Sequence, residues 1–466
     1  MTGRRVRSAG IARWSAVLVA ASLVAAACSS GDDETGAGDS AGTDPGAVAA
    51  PAADQDATQS TTGTDTGTDA AADGGTGDLA GTDAGAATGG DAVPTGPFDI
   101  DAVLQADPDC PNPVTGEPLV VGYAADMGEL GAFGDGPASQ TAIHIANLVN
   151  CSGGLDGRPV EVSMADISGD PVASREQTMG LVEGGVSVLL GPPFPDPGFR
   201  VLQVTEGGVP VIFTGSTEPA LGDDSNLSFL VAFSDTQGAT AAAQFAQSQG
   251  WTTAVTFSSP GPYFGYNPLV FTEVFTAQGG QIVADFPYLP IETLDFTEAI
   301  AAIADDPPDV IYSAMIAVQL VALKQQLAEA GLADVEVIGT DAFEATNGYS
   351  LAPGNEGIYH VTHTDPRPDT RLQQLLTSYA AANGGVPPAS PSMAALAGDA
   401  MAVIADAYLR VDSTDPAALG QAIATATGVQ GITGVLTYDM SGAPSKPMFV
   451  HRVVDGQATL AGIVGG

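Results

Sequence analysis

Positive charge is what this sequence most lacks: 13 Lys and Arg stand against 55 Asp and Glu in 466 residues, a formal net charge of −42. Nucleic-acid backbones are neutralised by Lys and Arg, so this balance excludes a nucleic-acid partner. It also argues against a basic phosphate site or docking on anionic lipid. Cysteine is scarce, and three of them exclude a disulfide-dense scaffold or a cysteine-rich zinc protein. The signatures of catalysis are missing too. There is no zinc-protease helix motif, no P-loop glycine–lysine run, and no nucleophile elbow set between a strand and a helix. The four histidines, His144, His360, His363 and His451, are scattered along the chain. His360 and His363 are close, but on an expected hinge strand, where hydrogen-bonded roles outweigh a metal site. No enzyme activity, cofactor or metal is therefore expected.

What is present begins with an address. Arg4, Arg5, Arg7 and Arg13 form a basic region, followed by a small-residue apolar stretch from Ala16 to Ala27 that ends at Cys28. That stretch is too short for a permanent span of the ~30 Å hydrocarbon core and has the form of an export signal. Leu23-Val24-Ala25-Ala26-Ala27-Cys28 resembles the lipobox of bacterial lipoproteins, with Ala25 at the usual leucine position. The resemblance implies a signal peptide over residues 1–28 and a lipid on Cys28; the alternative is an ordinary export signal with an incidental cysteine. No later run of 18 apolar residues follows.

From Ser29 to Pro97 the sequence is mostly Gly, Ala, Thr and Asp, with no Lys or Arg and almost no large apolar residue. Such a segment cannot offset its chain entropy by burial, so residues 29–97 are expected to be a disordered, self-repelling tether. Composition changes at Phe98, and from Pro118 short β-branched runs alternate with helical spacing. Val186-Ser187-Val188-Leu189-Leu190 reads as a strand buried on both faces. The alternation runs to Phe213 and restarts at Thr253. Two sets of βα units predict two Rossmann-like α/β lobes with parallel sheets. The boundaries expected are 118–235 plus 358–428 for the first lobe and 236–357 plus 429–466 for the second. Phe229–Phe233 is the expected outgoing crossing and Ile358–Thr362 the return.

Ligands of open parallel sheets lie beyond the carboxyl ends of the strands, where helix N-termini and free N–H groups collect. The turns that follow the strands are rich in Gly, Ser, Thr and aromatics and poor in charge, which suits a small polar molecule. Gly215-Ser216-Thr217 offers hydroxyls and backbone amides for an anionic or carbonyl oxygen, or a simple helix cap. Asp341 could pair with a cation or cap the next helix, and Tyr263 could stack on a ligand or merely pack.

From Pro118 onward these residues resemble the substrate-binding proteins of branched-chain-amino-acid-type ABC transporters, which have the type I periplasmic binding protein fold; the resemblance implies that the two lobes are joined by a three-segment hinge. The matching segments include Gly153-Gly154-Leu155-Asp156-Gly157-Arg158, Gly215-Ser216-Thr217-Glu218-Pro219 and Gly431-Ile432-Thr433-Gly434-Val435. The resemblance implies that Ser216 and Thr217 hold a carboxylate, that Tyr263 covers the ligand and that Asp341 meets an ammonium. It departs at Phe194-Pro195-Asp196-Pro197 and around Met315, where relatives carry Ser/Thr or aromatic residues; prolines remove backbone donors and Asp196 repels a carboxylate. Phe194, Asp196 and Met315 thus join the candidate ligand shell, and the expected ligand is an amino acid or, given these departures, an amide, a small amine or a larger apolar compound. The implied protein is a monomer anchored to the outer face of the cell membrane, delivering its solute to an ABC permease. A ligand sensor of the same fold, without transport, is the alternative. Cys110 and Cys151, an even pair in an exported domain, are expected to form a disulfide.

Overall fold

The computed structural model describes residues 96–129 and 131–465. The expected signal peptide, Cys28 with its expected lipid and nearly all of the expected tether lie outside the described residues. Strands β1 (Leu119–Ala125), β2 (Val160–Asp166), β3 (Val188–Gly191), β4 (Val211–Phe213) and β5 (Ser228–Leu230) form a sheet of order β2-β1-β3-β4-β5. Every neighbouring pair in it is parallel. A second sheet contains β6 (Thr253–Ser258), β7 (Gln281–Pro287), β8 (Val310–Ser313), β9 (Glu336–Gly339) and β10 (Tyr359–Thr362). Between β10 and the strands that complete this sheet, β11 (Val429–Gln430), β12 (Val435–Tyr438) and β13 (Pro444–Ser445) make a small antiparallel sheet. Strands β14 (Met448–Val454) and β15 (Gln457–Val464) then finish the second sheet in the order β15-β14-β10-β9-β8-β6-β7.

Strand position follows residue type. The interior strands β3, β8 and β10 are buried throughout, whereas the edge strands β7 and β15 alternate between exposed and half-buried positions. The lobes that result are α/β and doubly layered, as the alternation predicted.

Their boundaries differ from the expected ones in three places. Tyr359–Thr362 is no return crossing of the first lobe: it pairs with β9 on one side and β14 on the other, so it belongs to the second sheet. Phe229 lies in β5, the edge of the first sheet, so the outgoing crossing is shorter than expected, at residues 231–234. Residues 429–438, assigned to the second lobe from sequence, bury Val429, Ile432, Leu436 and Tyr438 in the first-lobe core. The returning first-lobe portion therefore spans 371–438, and the crossings fall at 231–234, 363–370 and 439–447.

The first lobe also starts earlier than Pro118. The helix Ile100–Leu104 is capped by Asp99, which accepts from Ala102 N at 3.0 Å, and it buries Ile100, Val103 and Leu104. Gly96 N donates to Gly428 O at 2.9 Å, and a Cβ there would fall 2.0 Å from Asp406 Oδ1. Arg371 clasps Asp101 with two bonds of 2.7 Å. The Cys110–Cys151 disulfide is present, with Cα atoms 5.7 Å apart. Helix Pro391–Val411 is apolar and long enough to cross a membrane, but 94% of its apolar window is buried in the first-lobe core.

Candidate functional site

The carboxyl ends of the parallel strands converge where the crossings join the lobes. On the first lobe, β4 runs into the turn that holds Gly215, Ser216 and Thr217. A Cβ on Gly215 would sit 3.0 Å from Met393 Sδ and 3.1 Å from Pro193 Cβ, so a side chain there would force these neighbours to give by a few tenths of an ångström. Ser216 and Thr217 are buried. The Ser216 hydroxyl accepts from Glu218 N at 3.4 Å, and Thr217 O accepts from Asp235 N at 2.8 Å. The turn is thereby tied to the first residue of helix Asp235–Ser248 in the second lobe.

Asp235 is the residue on which the two walls meet. Burial pushes its carboxyl up to about 8, against hydrogen bonds from Thr217 and Asn267 that favour the charged form, and nearby Asp341 and Glu218 push it the same way as burial. On the second lobe, Tyr263 opens helix Pro262–Ala277 and donates its hydroxyl to Asp341 Oδ1 at 2.7 Å, with Thr340 Oγ1 at 2.6 Å. Asn267, one turn along, donates to Tyr263 O at 3.1 Å. Tyr312, at the end of β8, stacks on Phe271 with centroids 4.2 Å apart and lies 3.5 Å from Asn267 Oδ1.

Sequence reasoning missed two members of this group. Asp235 reads as an ordinary helix-start acid, and only the crossing that precedes it marks it as more. His363 follows β10 on the second crossing, with its ring stacked 3.8 Å from that of Phe233 on the first. Its Nε2 is 3.5 Å from Asp341 Oδ2, a contact too long for a good hydrogen bond, and both ring nitrogens are buried without a hydrogen-bond partner. Burial lowers its pKa, and Asp341 opposes that. Among the described residues, neither Asp235 nor Asp341 forms a salt bridge with Lys or Arg.

The remaining expected residues lie elsewhere. Asp196 is exposed in the first turn of helix Pro195–Thr205, and Phe194 before it is half-buried with its ring 5.8 Å from that of Phe133. Met315 has no exposed surface and packs in the second-lobe core with Phe257, Tyr288 and Phe343, so it is not part of the shell expected for it. Its hydrophobic side chain follows β8 inward because the strand is covered on both faces.

Behind the site, the crossings are pinned by a buried ion pair. Lys446 on the third crossing reaches Asp399 Oδ2 at 3.1 Å and Val231 O, on the first crossing, at 3.2 Å. Asp399 also accepts from Ile432 N at 2.5 Å and Thr433 N at 3.0 Å, so neither charge is left without partners.

Two α/β lobes, three crossings and a buried polar cluster at their junction meet a family model described as periplasmic binding protein, which matches residues 118–458. The chain belongs to the periplasmic binding protein family. Solved structures of the same fold include the branched-chain amino acid transporter substrate-binding protein LivJ from Streptococcus pneumoniae in complex with isoleucine. It is 20% identical, with 75% of this chain and 100% of that one covered and a TM-score of 0.63. A solute-binding protein from R. palustris in complex with benzoate is 21% identical over 74% of this chain and 96% of its own, with a TM-score of 0.59. A substrate-binding protein from Desulfitobacterium hafniense in complex with Leu is 20% identical over 74% and 99%, with a TM-score of 0.60. At these identities the likeness is one of fold. No curated protein sequence matches the chain. The family consists of binding proteins, and its place is outside the cytoplasm.

Proposed function

We propose that this periplasmic binding protein captures a small polar solute, an amino acid or a related amide or amine, between its lobes for an ABC permease. The observation that carries the reading is the meeting of the two walls at Asp235: the Ser216–Thr217 turn on one side, Tyr263 and Asp341 on the other. Thr217 and Ser216 supply hydroxyls for the solute's carboxylate or carbonyl oxygen. Asp341, held by Tyr263 and lacking a Lys or Arg partner, receives its cationic or N–H donor end. Structural neighbours hold isoleucine, leucine or benzoate, which makes a carboxylate-bearing solute the natural starting point.

Because each lobe contributes only part of this shell, ligand shifts the population towards a closed form. Lipid attachment at Cys28 would hold the monomer at the membrane beside its permease. The test is a thermal-shift screen of the full chain against amino acids, their amides, polyamines and aromatic acids. At least one class should raise the melting temperature in wild type and fail to do so in Asp341→Asn. A screen in which every class leaves wild type unmoved overturns the reading.

A further inference from the structure

Two of the four histidines, far apart in sequence, meet across the second sheet. His360 in β10 and His451 in β14 are register partners across the antiparallel pair, with ring centroids 5.2 Å apart. Glu344, three residues beyond Asp341, joins them from helix Ala342–Ala345. One donor atom from each of Glu344, His360 and His451 lies within 4.8 Å of the other two.

The hydrogen bonds fix the tautomers. His451 Nε2 is 2.7 Å from Thr364 O; a carbonyl only accepts, so the proton is on Nε2 and Nδ1 carries a lone pair. That lone pair takes the hydroxyl proton of Tyr349 at 3.0 Å. Tyr349 has one proton to give, so the 2.7 Å contact between its oxygen and His360 Nε2 must be donated by the imidazole. His360 Nδ1 is then a bare lone pair. It is buried, and no partner in the protein satisfies it. Glu344 in turn accepts from the hydroxyls of Thr362 and Thr364.

We propose that Glu344, His360 and His451 form a binding site for a divalent cation of the zinc class, with the Tyr349 oxygen as the neighbouring fourth donor. Two neutral imidazoles, a carboxylate and a phenol oxygen are a borderline donor set that suits zinc better than calcium or magnesium, which prefer oxygen alone. The outer shell already has the form such sites need. His451 is oriented by a backbone carbonyl, and Glu344 by two hydroxyls. The cation would sit between the rings on His360 Nε2 and His451 Nδ1, with the His360 proton moved to the unpartnered Nδ1 and the Tyr349 hydroxyl turned so that its oxygen faces the ion. It would fasten the 342–349 segment to β10 and β14 at the point where the second crossing leaves the sheet. The site is distinct from solute capture and does not depend on it.

The test uses the full chain, stripped with chelator and titrated with Zn²⁺ alone by calorimetry, with X-ray absorption on the loaded protein. One equivalent should bind, with two imidazoles in the zinc shell. Affinity should fall at least tenfold in His451→Gln and in Glu344→Gln. Zinc surrounded by oxygen alone, as exposed acids would give, overturns the site, as does unchanged affinity in both variants. If a variant fails to fold, the absorption spectrum of wild type still decides, because His144 and His363 lie apart from this cluster.

Discussion

Asp235 carries the clearest consequence at the scale of single residues. Its carboxyl is raised to about 8, and so is that of Asp135, which is buried beneath Tyr123 and accepts from Asp126 N at 2.6 Å. A raised acid is one whose protonated form the fold prefers. Between about pH 4 and pH 8 the native state therefore binds more protons than the unfolded chain, and stability falls as pH rises through that window. The slope is at most about 1.4 kcal/mol per pH unit for each group. The buried histidines, whose pKa values burial lowers, push the other way, so the test is a difference: the urea midpoint of Asp235→Asn relative to wild type should rise from pH 5 to pH 8, and rise further when Asp135→Asn is added. A difference that does not change with pH contradicts the assignment. At the same scale, removing the Asp341 charge with Asn should weaken solute binding about 10- to 100-fold, the worth of one charged hydrogen bond. Thr217→Ala, which loses a neutral partner, should cost about tenfold or less in the same titration.

Secondary-structure elements show how much was legible in advance. The alternation of β-branched runs with helical spacing placed β1 to β4 and β6 to β9, because parallel strands leave a strong apolar signature, whereas β5 and β10 read as crossings and the antiparallel β14 and β15 did not register as strands. The Ser216–Thr217 turn and Asp341 were legible for the same reason: they follow strands whose ends were already known. Met315 was not, since a methionine after a strand reads alike whether it lines a cleft or fills a core. Nor was the pairing of His360 with His451, which depends on an antiparallel strand arriving from far along the chain. The helix Ile100–Leu104 escaped notice because one turn of periodicity is too short to register, although its apolar residues are fully used. That element and its neighbours are fastened by the disulfide, which closes a span of 41 residues. Replacing Cys110 and Cys151 with Ser should lower stability by about 3–4 kcal/mol on loop-closure grounds, read as a shift in the urea midpoint.

For the whole molecule, the ion pair at the crossings sets the expected behaviour. Lys446 and Asp399 have no exposed surface, and Lys446 also holds the first crossing through Val231 O. Lys446→Ala leaves Asp399 buried and unpaired, which should cost about 3–5 kcal/mol, while Asp399→Asn with Lys446→Met should recover much of it. Closure itself is a global quantity. A solute that raises the melting temperature should also reduce the radius of gyration in small-angle scattering, and an unchanged radius would separate binding from lobe movement.

The docking of Gly96 beside Gly428, followed by the Asp101–Arg371 clasp, has a mechanical meaning. Any pull entering the domain at residue 96 is borne by the helices of one half, well before the chain reaches a crossing. Under the anchoring and closure proposed for this protein, that half is the stator, and its partner swings without dragging on the tether.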